Sequence, residues 1–135
     1  MRKAIVTIAL AHASLGAVAQ ATPSAAVRPI ASFVCGGVGQ AEQERMKSEA
    51  PRHDLMLTFA VDTGAYIADV DVQIRDAKGT VVVAAKCGGP IMLVDLPKHE
   101  HWYVTAQSNG RNREKTITAG AGHPAHATFV WPAGT

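Results

Sequence analysis

Histidine and cysteine are the residues of this chain best equipped for chemistry, and their spacing decides which chemistry is open to them. His99-Glu100-His101 sets two imidazoles two residues apart, and His123 and His126 lie three apart across Pro124-Ala125. Residues two apart on a strand share a face. If the segment at 99–101 met the segment at 123–126, three or four imidazoles would suit Zn²⁺ or Cu²⁺. His99, His101, His123 and His126 are therefore the candidate metal ligands. Against that reading, all four fall in polar, loop-like sequence where solvated histidine is ordinary, no cysteine joins them, and no standard ligand spacing is met. His53 stands alone.

Cys35 and Cys87 are each followed by Gly-Gly, which points to open backbone at both positions. No C-x-x-C spacing is present, so a redox-active pair is disfavoured. In an oxidising compartment an even pair is a disulfide candidate. The bridge would close a loop of about 50 residues and contribute on the order of 4 kcal/mol in the chain-entropy model. Two separate thiols are the alternative if the fold holds them apart.

The remaining constellations are weaker. Asp69 and Asp71 offer paired carboxylates for acid–base work or Ca²⁺, but they alternate with Val70 and Val72 as the wet face of any half-buried strand would. There is no G-x-S-x-G elbow and no H-E-x-x-H. Gly36-Gly37-Val38-Gly39 lacks the lysine of a phosphate loop. No catalytic residue and no cofactor are assigned, and the chain reads as a non-enzyme.

Compartment follows from the first segment. Arg2 and Lys3 precede an apolar run from Ala4 to Leu10, and Ala19-Gln20-Ala21 satisfies the small-x-small cleavage rule, with Ala17-Val18-Ala19 as the alternative. Residues 1–21 are thus expected to be a signal peptide. The run is far shorter than the roughly 20 residues that span a bilayer, so no membrane span is expected after cleavage. The chain carries 13 Lys+Arg against 11 Asp+Glu, and losing Arg2 and Lys3 leaves 11 against 11. A neutral domain lacks the electrostatic footprint of a nucleic-acid binder. A periplasmic or secreted location is expected.

The elements that must position these residues show in the periodicity. Residues 22–34, rich in Ala, Pro and Ser, read as a flexible lead-in to a domain at 35–135, with 32–35 as a short extended piece. Gln40 to Ala50 is a run of good helix formers ended by Pro51. Its apolar content is thin, so the helix is expected at the surface. From His53 the period becomes two. Strands are expected over 54–60, 67–76, 80–86, 91–96, 102–107, 113–118 and 125–131. Turns are expected at Asp62-Thr63-Gly64, Ala77-Lys78-Gly79 and Ser108-Asn109-Gly110. About seven short strands near ten-residue spacing predict an all-β antiparallel sandwich with one short N-terminal helix. A small barrel is the runner-up. Phe59, Phe129 and one of Trp102 or Tyr103 are expected in the core, and Trp131 at a partly exposed strand end.

The order Tyr66–Asp76 (YIADVDVQIRD), AKGTVVV, LVDLP and WYVTAQSNGRNREKTIT resembles the carboxypeptidase regulatory-like domains, and within them the small exported proteobacterial forms. The resemblance covers about 55 of the 135 residues and rests on hydrophobic spacing and turn residues, so it speaks to fold more than to chemistry. It implies a transthyretin-like, or prealbumin-like, β-sandwich acting as an accessory module, without peptidase activity. One departure stands out: members place a Pro-x-Gly turn before the hairpin tyrosine, whereas here Pro97-Lys98-His99-Glu100-His101-Trp102 precedes Tyr103 without a glycine. A transthyretin-like hydrolase is disfavoured by the C-terminal Trp131-Pro132-Ala133-Gly134-Thr135. The expectation is a non-catalytic binding or interaction module, monomeric or weakly dimeric, with an unknown protein or small-molecule partner. A metal-binding protein of the cell envelope, using the four histidines, is the alternative.

Overall fold

The computed structural model describes residues 31–134. The expected signal peptide and most of the expected lead-in lie outside the described residues. The short extended piece expected at 32–35 is the first strand, so Ser32 to Val34 belong to the domain rather than to the lead-in.

Strand β1 is Ser32–Gly36, followed by helix α1 at Gln40–Glu49 and a short 3₁₀ turn at Ala50–Arg52. Then come β2 (Leu55–Val61), β3 (Val70–Arg75), β4 (Val81–Cys87), β5 (Ile91–Asp95), β6 (Glu100–Ser108), β7 (Arg111–Ala119) and β8 (Ala125–Trp131). They form two four-stranded sheets, ordered β1-β5-β2-β8 and β4-β3-β6-β7. The fold is the all-β sandwich that the spacing predicts. One pairing departs from a purely antiparallel sandwich: β8 runs parallel to β2, from Leu55 opposite Ala125 to Val61 opposite Trp131.

Each hairpin of the second sheet follows from local chemistry. Asn109 and Gly110 both take positive φ, 49° and 77°, as a two-residue type I′ turn requires, and Ser108 pairs with Arg111 across it. At the β3–β4 corner the Asp76 carboxylate accepts hydrogen bonds from the backbone N–H of Lys78 and of Thr80, each 2.9 Å. The ladder then skips Val82, since Ile74 opposes Val83 and Arg75 opposes Val81.

Between the sheets the period-two pattern interlocks. Val70, Val72 and Ile74 of β3 point inward with Trp102, Val104 and Ala106 of β6, against Leu57, Phe59 and Phe129 of the other sheet. Removing each large apolar side chain from water contributes roughly 2 kcal/mol. Both indoles are fully buried, which corrects the expectation that Trp131 is partly exposed. The Trp131 Nε1–H donates to the Arg111 carbonyl at 2.9 Å and the Trp102 Nε1–H to the Ala119 carbonyl at 3.0 Å. A buried indole without such a partner would lose much of what its burial gains.

Strand β5 breaks the alternation, with Ile91 through Val94 all buried. Met92 and Val94 face the sandwich interior, while Ile91 and Leu93 face outward against Met46 and Ala50. Helix α1 therefore covers the outer face of the first sheet. Its single fully buried residue, Met46, explains why its sequence reads as a surface helix. On its exposed side Arg45 bridges Glu42 and Glu49, and the hydrogen bond to Arg45 holds the Glu42 carboxyl below its ordinary range.

The disulfide expected from the sequence is present. Cys35 of β1 and Cys87 of β4 are bridged across the two sheets, with a Cα separation of 5.4 Å and a sequence separation of 52. Both cysteines lie in strands rather than in the open backbone that their Gly-Gly neighbours imply. The glycines serve a different end: the Gly89 backbone lies against the Gly36 carbonyl so closely that a Cβ on Gly89 would overlap it, whereas a Cβ on Gly88 would meet nothing. The two Cys-Gly-Gly segments thus pack backbone on backbone.

Two outcomes follow for urea unfolding monitored by tryptophan fluorescence. Replacing both cysteines by serine should lower stability by about 4 kcal/mol. Gly89→Ala should cost about 3 kcal/mol by overpacking, while Gly88→Ala stays within about 0.5 kcal/mol of the parent.

Candidate functional site

Of the four candidate metal ligands, the structure brings His99 and His123 together. His99 lies in the β5–β6 connection, one residue before β6, and His123 in the β7–β8 turn. Their ring centroids are 4.5 Å apart, with the planes inclined by 41°. His101 sits two residues into β6, where its Nδ1 is 2.7 Å from the Thr118 hydroxyl. His126 is on β8, opposite Met56. Among the described residues no group of three or more His, Cys, Asp or Glu is close enough to hold a metal ion. The four-imidazole cluster imagined from the sequence is therefore not assembled. His101 is engaged across the β6–β7 pair by Thr118, and His126 stands in the β2–β8 ladder.

Asp54, which the periodicity marks only as a strand start, holds the two histidine-bearing segments in place. Its carboxylate accepts hydrogen bonds from the Leu96 N–H at 2.9 Å and from the Gly122 N–H at 3.2 Å. Its own N–H donates to the Val94 carbonyl, and its carbonyl accepts from the Ala125 N–H, both at 3.0 Å. One residue thus ties the end of β5 and the start of β8 to the start of β2. Gly120 completes the junction: it has φ of +116°, and a Cβ there would overlap the Lys98 carbonyl. Beside it, His53 Nδ1 lies 3.0 Å from an Asp95 oxygen, and the Ser32 hydroxyl donates to the other oxygen at 3.2 Å.

A second candidate lies on the outer face of the β4-β3-β6-β7 sheet. Directly opposed residues of an antiparallel pair share a face, so the register lays out rows across four strands. Lys86, Asp71, Gln107 and Asn112 form one row, and Ala84, Gln73, Thr105 and Glu114 the next. Arg75, Tyr103 and Thr116 continue the pattern. The small side chain of Ala84 leaves a trough of 460 Å³ over these rows, within the range of small-ligand clefts. Its charges pair internally, Lys86 with Asp71 at 4.0 Å and Arg75 with Glu114 at 3.5 Å. What remains is a neutral field of hydrogen-bonding groups, the amides of Gln73, Gln107 and Asn112 and the hydroxyl of Thr105. Sequence reasoning missed this face as a unit. The alternation marked outward residues on the strand at 67–76, but not which residues of the neighbouring strands lie beside them.

Asp69 and Asp71 do not act as a carboxylate pair on one strand. Asp69 precedes β3 with φ of 61°, which breaks the alternation, and Asp71 takes Lys86 as its partner.

The Asp54 junction has a direct check. Asp54→Ala leaves two backbone N–H groups without their acceptor and should cost about 2 kcal/mol. Asp54→Asn, which keeps one acceptor oxygen, should cost less. Amide hydrogen exchange should speed up at Leu96 and Gly122 in the alanine variant, and unchanged exchange there would remove Asp54 from this role.

No family model matches the chain, and no curated protein matches it in sequence.

Proposed function

We propose that the protein is a non-catalytic binding module of the cell envelope, exported to the periplasm or beyond, that recognises a neutral, hydroxyl- or amide-rich ligand on the outer face of the β4-β3-β6-β7 sheet. The row of Asp71, Gln107 and Asn112 beside that of Gln73 and Thr105 carries this reading. The two ion pairs consume the charges of the trough and leave amides that can donate and accept at once. A neutral sugar chain answers such a surface through many single hydrogen bonds, with the half-exposed ring of Tyr103 in the adjoining row. The scaffold suits the role, because recognition favours a surface that loses little freedom on binding and a covalent bridge joins the two sheets at one edge. Export agrees with the disulfide, which persists in oxidising compartments, and with the signal-like N-terminus. In this reading the protein works as an accessory module, as the resemblance to carboxypeptidase regulatory-like domains implies.

Two measurements test the proposal. Intact mass of the chain recovered from the periplasm or medium should correspond to cleavage after Ala21 with Cys35 and Cys87 oxidised; an uncleaved, cell-retained chain would overturn export. For recognition, the side-chain amide signals of Gln73, Gln107 and Asn112 are followed by ¹⁵N-resolved NMR during titration with a panel of neutral oligosaccharides. At least one sugar should shift these signals together, and Gln73→Ala with Gln107→Ala should weaken its binding by about tenfold, roughly 1.4 kcal/mol. Shifts confined to other parts of the molecule, or none across the panel, would sink the assignment of this face.

A further inference from the structure

We infer that His99 and His123 form a two-imidazole site for a borderline divalent transition metal, Cu²⁺ before Zn²⁺, at the end of the sandwich where the β5–β6 connection meets the β7–β8 turn. The site is separate from the polar face of the second sheet and does not depend on it.

Three observations carry the inference. The first is the separation itself: ring centroids 4.5 Å apart and inclined by 41° bring two ring-nitrogen donors within reach of one ion after small side-chain rotations. Two apolar side chains in such contact would gain from excluding water, but two exposed imidazoles gain little, so the proximity is set by the backbone. The second is that the backbone is held independently of the histidines. Asp54 clamps Leu96 and Gly122, Ala125 bonds the Asp54 carbonyl, and Gly120 packs against Lys98. His123 also bridges Gly120 through its own N–H at 3.2 Å. An ion arriving there does not have to order two loops, and much of the usual entropic cost of ligation is absent. The third is availability. His53 is engaged by Asp95 and His101 by Thr118, whereas among the described residues neither His99 nor His123 has a side-chain hydrogen-bond partner. Both are exposed, so water can complete the coordination sphere.

The donor set decides the metal. Imidazole is a borderline ligand, and at a site of nitrogen and water ligands affinity rises through Ni²⁺ to Cu²⁺ and falls again at Zn²⁺. Mg²⁺ and Ca²⁺ require oxygen donors and are not taken. Of the neighbouring charges, Lys98 and Glu100 pair with each other at 3.6 Å, and the Asp54 carboxylate sits against the Gly122 N–H beside His123.

The test uses the tag-free chain and substoichiometric Cu²⁺, read by electron paramagnetic resonance and isothermal titration. One Cu²⁺ per chain with two imidazole nitrogens is expected. His99→Gln or His123→Gln should each weaken binding at least tenfold, while His101→Gln and His126→Gln leave it within twofold. Because all four residues are exposed, each variant should keep the parent urea midpoint. In the parent chain, paramagnetic broadening should reach the ring protons of His99 and His123 first, a readout that needs no variant. Binding that survives the double replacement of His99 and His123, or that depends equally on His101 and His126, would overturn the assignment, as would the absence of any Cu²⁺ binding above the level of that double variant.

Discussion

Two twisted sheets packed face to face leave two open edges, and this sandwich depends on how each is closed. At one edge the bridge from Cys35 of β1 to Cys87 of β4 joins the sheets covalently. Immediately beyond the cysteines Gly89, which lacks a Cβ, lets its backbone lie against that of Gly36. At the other edge no covalent link exists among the described residues. There Trp131 of β8 fills the gap and donates its indole N–H to Arg111 of β7, while Phe129 packs beside it at 6.3 Å between ring centroids. A bond on one side and a buried aromatic on the other fix the spacing of the sheets, and the interior of alternating Val, Leu and Phe fills what lies between.

Closure at the edges settles what the faces are free to do. The outer face of the first sheet is covered by α1, which uses Met46 and Ala50 against Ile91 and Leu93, so that sheet is buried on both sides near β5. Among the described residues, the outer face of the second sheet has no such cover. It carries the paired charges and amides described above. The ends of the sandwich take a different role: there Asp54 collects backbone N–H groups from two connections and sets two imidazoles side by side.

Period-two alternation read the strands from Leu55 onward with boundaries up to three residues adrift, because each half-buried strand carries its own signal. The Asn109-Gly110 and Asp76–Gly79 turns were equally legible, since the demand for positive φ and for an Asx carboxylate is local. Strand β1 was less so. Five residues give little room for a pattern, and Val34 faces outward although apolar, with half of its surface exposed. The purpose of the Gly-Gly pairs was misread for a related reason. In sequence a glycine pair signals freedom, and only the meeting of residues 52 positions apart turns it into close packing.

By itself, then, the sequence determined what depends on near neighbours: the strands, the two hairpins of the second sheet and the surface character of the helix, while the two cysteines were legible only as a candidate pair. Only the tertiary structure decided the rest. The parallel seating of β8 on β2, the rows that align Gln107 with Asp71, and the choice of His123 rather than His101 or His126 as the neighbour of His99 all depend on register between segments far apart in the chain. A one-residue slip exchanges the two faces of a strand, so no local pattern encodes which side chains become neighbours across strands. That information resides in the packing of the whole core, which admits one register for each strand.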